Sequence, residues 1–352
     1  RDPMRTYYAQ RGFGVDSRVG QRRYWLVPGQ EDPRSELGHA IGLNLKAKVR
    51  RLDRYLQNDW IAARIHEQGG LYGHTHVGAN ACFAHREMAL YTPLGIVDFN
   101  SIMQASLGTE LYYNFLNLGF EMNASAGADT PYGGTIGATR VYVHTGQNEF
   151  SPDAWFDGLK IGRSFVTNGP MLAFDVDDQL PGSVIDVDAA RTLRVKAAAR
   201  GIANWSAPKK LQLIRFGKVI AEAVSADARQ GELSLEYELD AEDGCWVAAR
   251  VDGHDGSAAH TTPIYVKRAG LRHWDFAVAD ELISKQLGIM EEIEEALRQS
   301  EGRVNSDKNP LDYWNLRNVE QADAVRRQIK AASAFYENLR ETYQRERTLR
   351  DK

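Results

Sequence analysis

The chain has 352 residues, of which 43% are hydrophobic and 26% charged, and these values predict two or three globular domains. A formal net charge of −4 gives no basic surface, so the composition argues against nucleic acid as a partner. No apolar run reaches the roughly 18 residues that a membrane-spanning helix needs, so we expect no membrane span.

The compartment in which the protein works is left open by the sequence. The chain begins at Arg1, and its opening residues, RDPMRTYYAQRGFG, contain no apolar stretch of the kind found in signal peptides. The first strand pattern, Tyr24–Val27, leads directly into a turn, so we expect a chain that starts inside a domain. Periplasmic and secreted locations stay open. Cys82 and Cys245 lie far apart, and we expect two buried thiols rather than a disulfide.

Strand and helix patterns alternate over residues 1–170, which is typical of a parallel sheet or barrel. The strand patterns are Tyr24–Val27, Ala40–Leu45, Leu71–Gly73, Ile96–Phe99, Glu121–Ala124 and Arg140–His144. The helix patterns are Arg54–Gln68, Leu107–Leu118 and Ser151–Gly162. Ser151 is a suitable N-cap for the last of these, and Pro152 follows at the first helical position.

The pattern changes after Pro170. Residues 171–268 show short strand patterns in which polar and apolar residues alternate, and this predicts an immunoglobulin-like β-sandwich. The strand patterns are Leu172–Val176, Leu193–Ala197, Leu211–Phe216, Leu233–Leu239, Cys245–Val251 and Ile264–Val266. Residues 269–352 carry two apolar stripes at helical spacing, separated at Asn305–Pro310, which predict a helical hairpin docked on the other domains. The expected domains are therefore 1–170, 171–268 and 269–352.

Residues of the types that bind metal ions lie at the turns of three strand-like segments. Glu31 and His39 lie in VPGQEDPRSELGHAIGL, His74 and His76 in GGLYGHTHVG, and Asp129 in NASAGADTPYGG. Carboxylates and imidazoles bind zinc, manganese and iron, and a rigid strand aims such ligands into a common mouth. Each residue has an ordinary reading as a loop acid, a structural histidine or a turn aspartate. Together they predict a hydrolytic metal site.

Other polar residues fit supporting roles in such a site. His74 and His76 lie on one face of an extended segment, so one is expected to bind metal and the other to orient a ligand or face the substrate. Asp98 lies in the apolar strand pattern Ile96–Phe99 and needs a partner, so we expect it to orient a ligand histidine. His144, after Val143, and His85 are further candidates.

Four motifs occur in a specific order: Pro28-Gly29-x-Glu31, Gly38-His39-x-x-Gly42-Leu43, Gly69-Gly70-x-x-Gly73-x-x-His76 and Ser125-Ala126-Gly127-x-Asp129. This order resembles the later metal motifs of PHP-type metal-dependent hydrolases, and most closely those of the CehA/McbA family. The segments Arg163–Pro170 and His260–Val266 and the helical tail are similar to that family too, so the resemblance covers nearly the whole chain.

The resemblance implies an α/β fold with an incomplete, distorted (β/α)7 barrel that carries two or more divalent ions of zinc, manganese or iron. It implies hydrolysis of a small-molecule ester, of phosphate, carboxyl or carbamate type, by a metal-bound hydroxide. By position, Glu31 would be a bridging or shared ligand and His39 a further one. His76 and Asp129 would be ligands that also take part in catalysis.

This sequence departs from the family pattern in two places. The family opens with a His-x-His pair followed by an aspartate and another histidine, and none of these precedes Glu31. The resemblance therefore implies that a complete site needs residues upstream of Arg1. Many members end in Asp-x-His, whereas this chain has Asp129-Thr130-Pro131, so one metal would be absent or differently held.

Two hypotheses from other classes stay open. In the first, the barrel is degenerate and non-catalytic, and the sandwich binds a carbohydrate or a protein partner through an aromatic loop at Gly201–Ser206, where Trp205 otherwise serves in packing. In the second, the helical tail after Ala269 forms a homo-oligomer.

Overall fold

The structure is a computed structural model that describes residues 18–146, 150–304 and 313–350. Its strands, in chain order, are β1 Val19–Gln21, β2 Tyr24–Leu26, β3 Gly29–Ser35, β4 Gly38–Leu43, β5 Leu71–His74, β6 Phe99–Met103, β7 Ala124–Ala126, β8 Arg140–Val143, β9 Ser164–Thr167, β10 Met171–Val176, β11 Val184–Val187, β12 Thr192–Arg200, β13 Pro208–Arg215, β14 Lys218–Val224, β15 Glu232–Asp240, β16 Cys245–Gly253, β17 Ala258–Thr261 and β18 Ile264–Arg268. Its α-helices are α1 Asn58–His66, α2 Ala84–Tyr91, α3 Glu110–Asn117, α4 Pro152–Lys160, α5 Ala279–Val304 and α6 Tyr313–Arg350.

The described residues form two compact units. The first contains the residues up to Thr75, Asn80–Asp98 and Glu281–Arg345. The second contains His76–Ala79, Phe99–Asp280 and the residues from Glu346 onward. Among the described helices, none is both long and apolar enough to cross a membrane.

The sheet of the first unit is built from antiparallel neighbours. β3 pairs with β4, and β4 pairs with β5. α1 packs on this sheet through Ile61 and Ile65, which join Ala40 and Tyr72 in one buried apolar cluster. The close approach depends on Gly42, since an added Cβ there would lie 2.7 Å from Ile65 Cδ1. A side chain at residue 42 would therefore force the end of the Ile65 side chain to move.

The two C-terminal helices belong largely to the first unit. Arg326 of α6 bonds Glu294 of α5 at 3.0 Å, and Asn318 donates to Ser300 Oγ at 2.8 Å. The buried stripe of α6 includes Tyr336, whose hydroxyl donates to the carbonyl of Ala89 at 2.8 Å. The helical pair and its buried apolar stripe were predicted from the spacing. The predicted break at Asn305–Pro310 lies outside the described residues.

The second unit contains a β-sandwich. One sheet has the order β10-β12-β15, and the other runs β11-β18-β16-β17-β9-β8, with β13 and β14 joined to it at β16. A single buried cluster contains inward residues of both sheets, such as Leu193 and Val195 of β12 and Leu213 of β13. Alternate residues of β12 are buried. The polar–apolar alternation predicted this pleat, because successive side chains of a strand point to opposite faces.

Local signals also fixed the start of α4. Ser151 is its N-cap, and the Ser151 hydroxyl accepts a hydrogen bond from the backbone N–H of Ala154 at 3.1 Å. Pro152 occupies the first turn, where its missing N–H costs nothing. Both features agree with the sequence-based prediction.

The predicted (β/α)7 barrel, and with it the α/β fold class, is wrong. The described part of the chain is rich in sheets, and β3, β4 and β5 pair antiparallel rather than parallel. Only two residues, Glu36 and Leu37, separate β3 from β4, whereas parallel neighbours need a crossover connection of a dozen or more. A parallel pair does occur between β6 and β7, across α3. Short apolar runs that end in Gly-rich turns fit hairpins as well as barrel loops, and this similarity misled the prediction.

Two buried histidines are expected to make the stability of the second unit depend on pH. Burial lowers the pKa of His273 to about 3 and that of His260 to about 4, whereas unfolded histidine titrates near 6.5. Below about pH 6.5 the unfolded chain therefore binds protons that the folded chain does not. The free energy of unfolding should therefore keep its full value above about pH 6.5. It should decrease as the pH drops towards 4, by up to about 1.4 kcal/mol per pH unit for each histidine.

We predict that His273→Gln flattens this acid slope. Urea denaturation between pH 7 and pH 4.5 measures it, with His144→Gln, an exposed histidine of the same unit, as the control. If the free energy of unfolding falls equally steeply with decreasing pH in the wild type and in His273→Gln, His273 does not cause the acid slope.

Candidate metal centre

Glu31 and His39 meet on the β3–β4 ladder of the first unit. Glu31 pairs with Ile41, and the register shifts between Glu31 and Arg34, where β3 carries an irregularity. His39 lies two residues from Ile41, so it shares the face of Glu31 and is its diagonal neighbour. Glu31 Oε1 lies 3.0 Å from His39 Nδ1, and the side chains are 28% and 22% exposed. A carboxylate bound to one ring nitrogen is the arrangement that orients histidine ligands in metal sites.

Cys82 lies beside this pair. Its Sγ and a ring nitrogen of His39 are within 4.8 Å of each other. The expectation of two buried thiols is wrong for Cys82, which is exposed, and correct for Cys245; neither forms a disulfide. Sequence reasoning missed Cys82 as a donor. The available signal was its place directly after Ala79–Ala81, in the loop that follows a segment with candidate ligands.

His74 lies in the buried interior of the first unit. Its Nδ1 is 3.2 Å from Glu87 Oε1, and both side chains are fully buried. Neither atom has a well-aligned hydrogen bond within the described residues, and Thr92 Oγ1 lies 3.4 Å from His74 Nε2. Burial lowers the pKa of His74 to about 3 and raises the pKa of Glu87 well above its usual value. Both shifts favour the uncharged form, so we expect a neutral pair at pH 7, although the separation alone would suggest an ion pair.

His76 and Asp129 are joined in the second unit by Gln104. His76 Nδ1 lies 3.0 Å from Gln104 Oε1, and Gln104 Nε2 donates to Asp129 Oδ2 at 2.7 Å. Because a carboxylate only accepts, the amide NH₂ group of Gln104 must face Asp129. The amide oxygen then faces His76, so Nδ1 of the ring must carry a proton. In the neutral ring, Nε2 then holds the lone pair that a metal needs.

The backbone around this chain of hydrogen bonds is unusual. His76 has a φ of 55° and Asp129 a φ of 44°, both in the left-handed region. Such conformations are uncommon in non-glycine residues and cluster at functional sites. The loop after Asp129 is held by backbone bonds from Tyr132 N and Gly133 N to the Asp129 carbonyl, at 2.7 and 3.2 Å.

The other sequence candidates have different partners. Asp98 lies just before β6, and its Oδ2 accepts from the backbone N–H of Tyr72 at 2.8 Å and lies 2.7 Å from His66 Nε2. His144 is exposed, and its Nδ1 accepts from the backbone N–H of Gly146 at 3.2 Å. His85 lies 3.2 Å from Glu292 Oε1. These contacts are with residues outside the predicted ligand set.

Each unit thus presents donors that fit a divalent metal. The first offers the Glu31 carboxylate, the His39 imidazole and the Cys82 thiol, with His39 held by Glu31. The second offers His76 and Asp129, with the His76 tautomer set through Gln104. Imidazole and carboxylate donors suit zinc, manganese and iron. The residues therefore fit the type of metal that the sequence motifs imply.

No protein-family model and no curated protein matches this chain. Among solved structures, the chain is similar to the fibronectin(III)-like modules of Clostridium thermocellum CbhA, at 15% identity and a TM-score of 0.19, over 28% of this chain and 96% of that one. An engineered protein is 11% identical, with a TM-score of 0.18, over 27% of this chain and 20% of that one. TM-scores this low do not support a conclusion about fold or function.

The neutral state of the buried pair can be tested at Glu87. We predict that Glu87→Gln changes the free energy of unfolding by less than about 1 kcal/mol at pH 7, because the glutamine amide replaces an uncharged carboxyl of similar shape. Glu87→Ala should cost about 2–5 kcal/mol through the cavity that it leaves. Urea denaturation measures both. A glutamine variant as unstable as the alanine variant would show that the carboxyl is charged.

Proposed function

We propose that this protein is a metal-dependent hydrolase of small-molecule esters, of phosphate, carboxyl or carbamate type. The observation that carries the proposal is the His76–Gln104–Asp129 chain, in which one amide orients an imidazole and a carboxylate at once. The Glu31–His39 contact of the first unit and the order of the PHP-like motifs support it. When bound, a divalent metal would lower the pKa of a coordinated water and stabilise the anionic transition state.

The residues of the second unit have separate roles in this proposal. His76 presents Nε2 as a metal ligand, and Gln104 keeps the proton on Nδ1. Asp129 contributes a negative charge that attracts the cation and can also hold a water molecule by accepting its hydrogen bond. Gln104 is a positioning residue, since it touches both His76 and Asp129 and acts through them.

The first unit contributes Glu31 and His39. The carboxylate of Glu31 holds His39 Nδ1 at 3.0 Å, which orients the ring and raises the basicity of its other nitrogen. The proposal includes two or more bound ions of zinc, manganese or iron. Counting the metal ions that each ligand variant loses shows which ion each donor binds.

We predict that Asp129→Asn and His76→Ala each lower metal content and hydrolytic rate together. Loss of a ligand should remove several kcal/mol of transition-state stabilisation, which corresponds to a rate decrease of about 10²–10³-fold. Elemental analysis and a panel of ester and phosphodiester substrates measure the two quantities. Gln104→Leu should lower metal affinity or activity by about 10–100-fold, as expected for a residue that orients ligands.

His144→Ala is the matched control, because His144 is an exposed histidine of the same unit and should leave both quantities unchanged. Wild-type metal content in both Asp129→Asn and His76→Ala would remove these residues from the site. If the metal-loaded protein hydrolyses no substrate of the panel, the proposed activity is excluded.

A second candidate function is carbohydrate binding by the sandwich. Trp205 is 65% exposed and Ile202 58% exposed on the loop between β12 and β13, so Trp205 does not serve mainly in packing. An exposed tryptophan offers a flat apolar face with one hydrogen-bond donor, which suits stacking on a sugar ring.

If the sandwich binds carbohydrate, Trp205→Ala should abolish retention in affinity gels that contain polysaccharides. Trp25→Ala, which removes a partly exposed tryptophan of the first unit, should leave the retention unchanged. Absence of retention of the wild-type protein across the panel would exclude this candidate.

A further inference from the structure

The thiol of Cys82 is the feature of the candidate centre that the family resemblance does not include. Cys82 precedes α2 in the loop that follows β5, and it has a φ of 52°. It is exposed at the surface, and its Sγ lies within 4.8 Å of a ring nitrogen of His39. His39 in turn contacts Glu31. Thiol, imidazole and carboxylate therefore form one connected group in the first unit.

The packing of α2 explains how the thiol reaches this position. Gly38, directly before His39, has a φ of 114°, and a Cβ added there would lie 2.3 Å from Glu87 Cβ. Glu87 belongs to α2, so the missing side chain of Gly38 lets the helix rest on the start of β4. The loop that carries Cys82 leads into this helix and is therefore held beside His39. The short distance follows from the packing of a helix on a strand.

The separation of the two donors fits a shared ion. Zinc bonds sulfur at about 2.3 Å and nitrogen at about 2.0–2.1 Å, so the two ligand atoms of a tetrahedral site lie roughly 3.5 Å apart. The 4.8 Å limit between Cys82 and His39 includes this value.

The donor types also select the metal. Thiolate is a soft ligand that favours zinc and cobalt(II), whereas manganese and magnesium prefer carboxylate, carbonyl and water oxygens. Glu31 matches the carboxylate that commonly bonds the second nitrogen of a ligand histidine.

We propose that Cys82 and His39 are ligands of one metal ion in the first unit, with Glu31 as the residue that orients His39, and that the thiolate makes this site selective for zinc over manganese. The inference rests on the proposed role of His39 as a metal ligand. It extends that proposal by adding a ligand and by naming the metal. Binding converts the thiol to thiolate and releases one proton to solvent.

Cobalt(II) substitution tests the inference directly, because a thiolate bound to cobalt(II) gives a sulfur-to-metal charge-transfer band in the near ultraviolet that nitrogen and oxygen ligands do not give. The cobalt-loaded wild-type protein should show this band, and Cys82→Ser should lose it. Cys245→Ala is the matched control and should keep the band, since Cys245 is buried within the sandwich core of the second unit.

Competition between zinc and manganese gives an independent readout. Cys82→Ser should weaken zinc binding by about 10–100-fold or more, with a smaller change for manganese. Because Cys82 is exposed in a loop, the serine variant should unfold at the same urea concentration as the wild type.

The outcomes separate this inference from the proposed function. Cobalt bound without the charge-transfer band, in a protein that hydrolyses esters, would overturn the role of Cys82 and leave the hydrolase intact. A band that depends on Cys82, in a protein that hydrolyses nothing on the panel, would support the site and overturn the hydrolase. A wild-type protein that binds neither metal would overturn both.

Discussion

The antiparallel pairing of β3 with β4 is the constraint on which the donors of the first unit depend. The connection at Glu36 and Leu37 is too short for any other pairing, so the register of the two strands is tightly specified. Register and pleat together put Glu31 and His39 on one face as diagonal neighbours. A slip of one residue would turn one of these side chains to the opposite face and separate the pair. The chemistry of the pair therefore follows from backbone hydrogen bonds.

In the second unit, a single amide has the equivalent role. Gln104 can accept from an imidazole N–H and donate to a carboxylate at the same time, and among side chains only asparagine and glutamine present a carbonyl and an NH₂ on one rigid plane. Its two contacts fix the tautomer of His76 and the orientation of Asp129. A residue that carries no charge and titrates at no accessible pH thus decides which nitrogen of the histidine can meet a cation. No pattern in the sequence indicates this role, because glutamine is not a residue of metal motifs.

His74 and His76 show that the alternation of side chains along a strand does not continue beyond the end of the strand. Their spacing predicts a common face on an extended segment. The strand ends at His74, however, and His76 has a positive φ, so the alternation of side chains no longer applies between them. His74 lies with Glu87 in a buried pair, whereas His76 bonds Gln104. The two histidines have different environments because His74 is fully buried and the strand ends between them. The spacing of residues in the sequence predicts neither feature.

The sequence by itself determined the local features of this protein. The pleat of β12, the start of α4 at Ser151 and the buried stripe of α6 all follow from short-range periodicity and capping, which act within a few residues. The types of donor, carboxylate and imidazole, were also visible as residues. Tertiary structure alone decided the approach of Cys82 to His39 and the link from His76 to Asp129 through Gln104. These contacts join residues that are remote along the chain, and long-range packing selects among pairings that local sequence leaves equally acceptable.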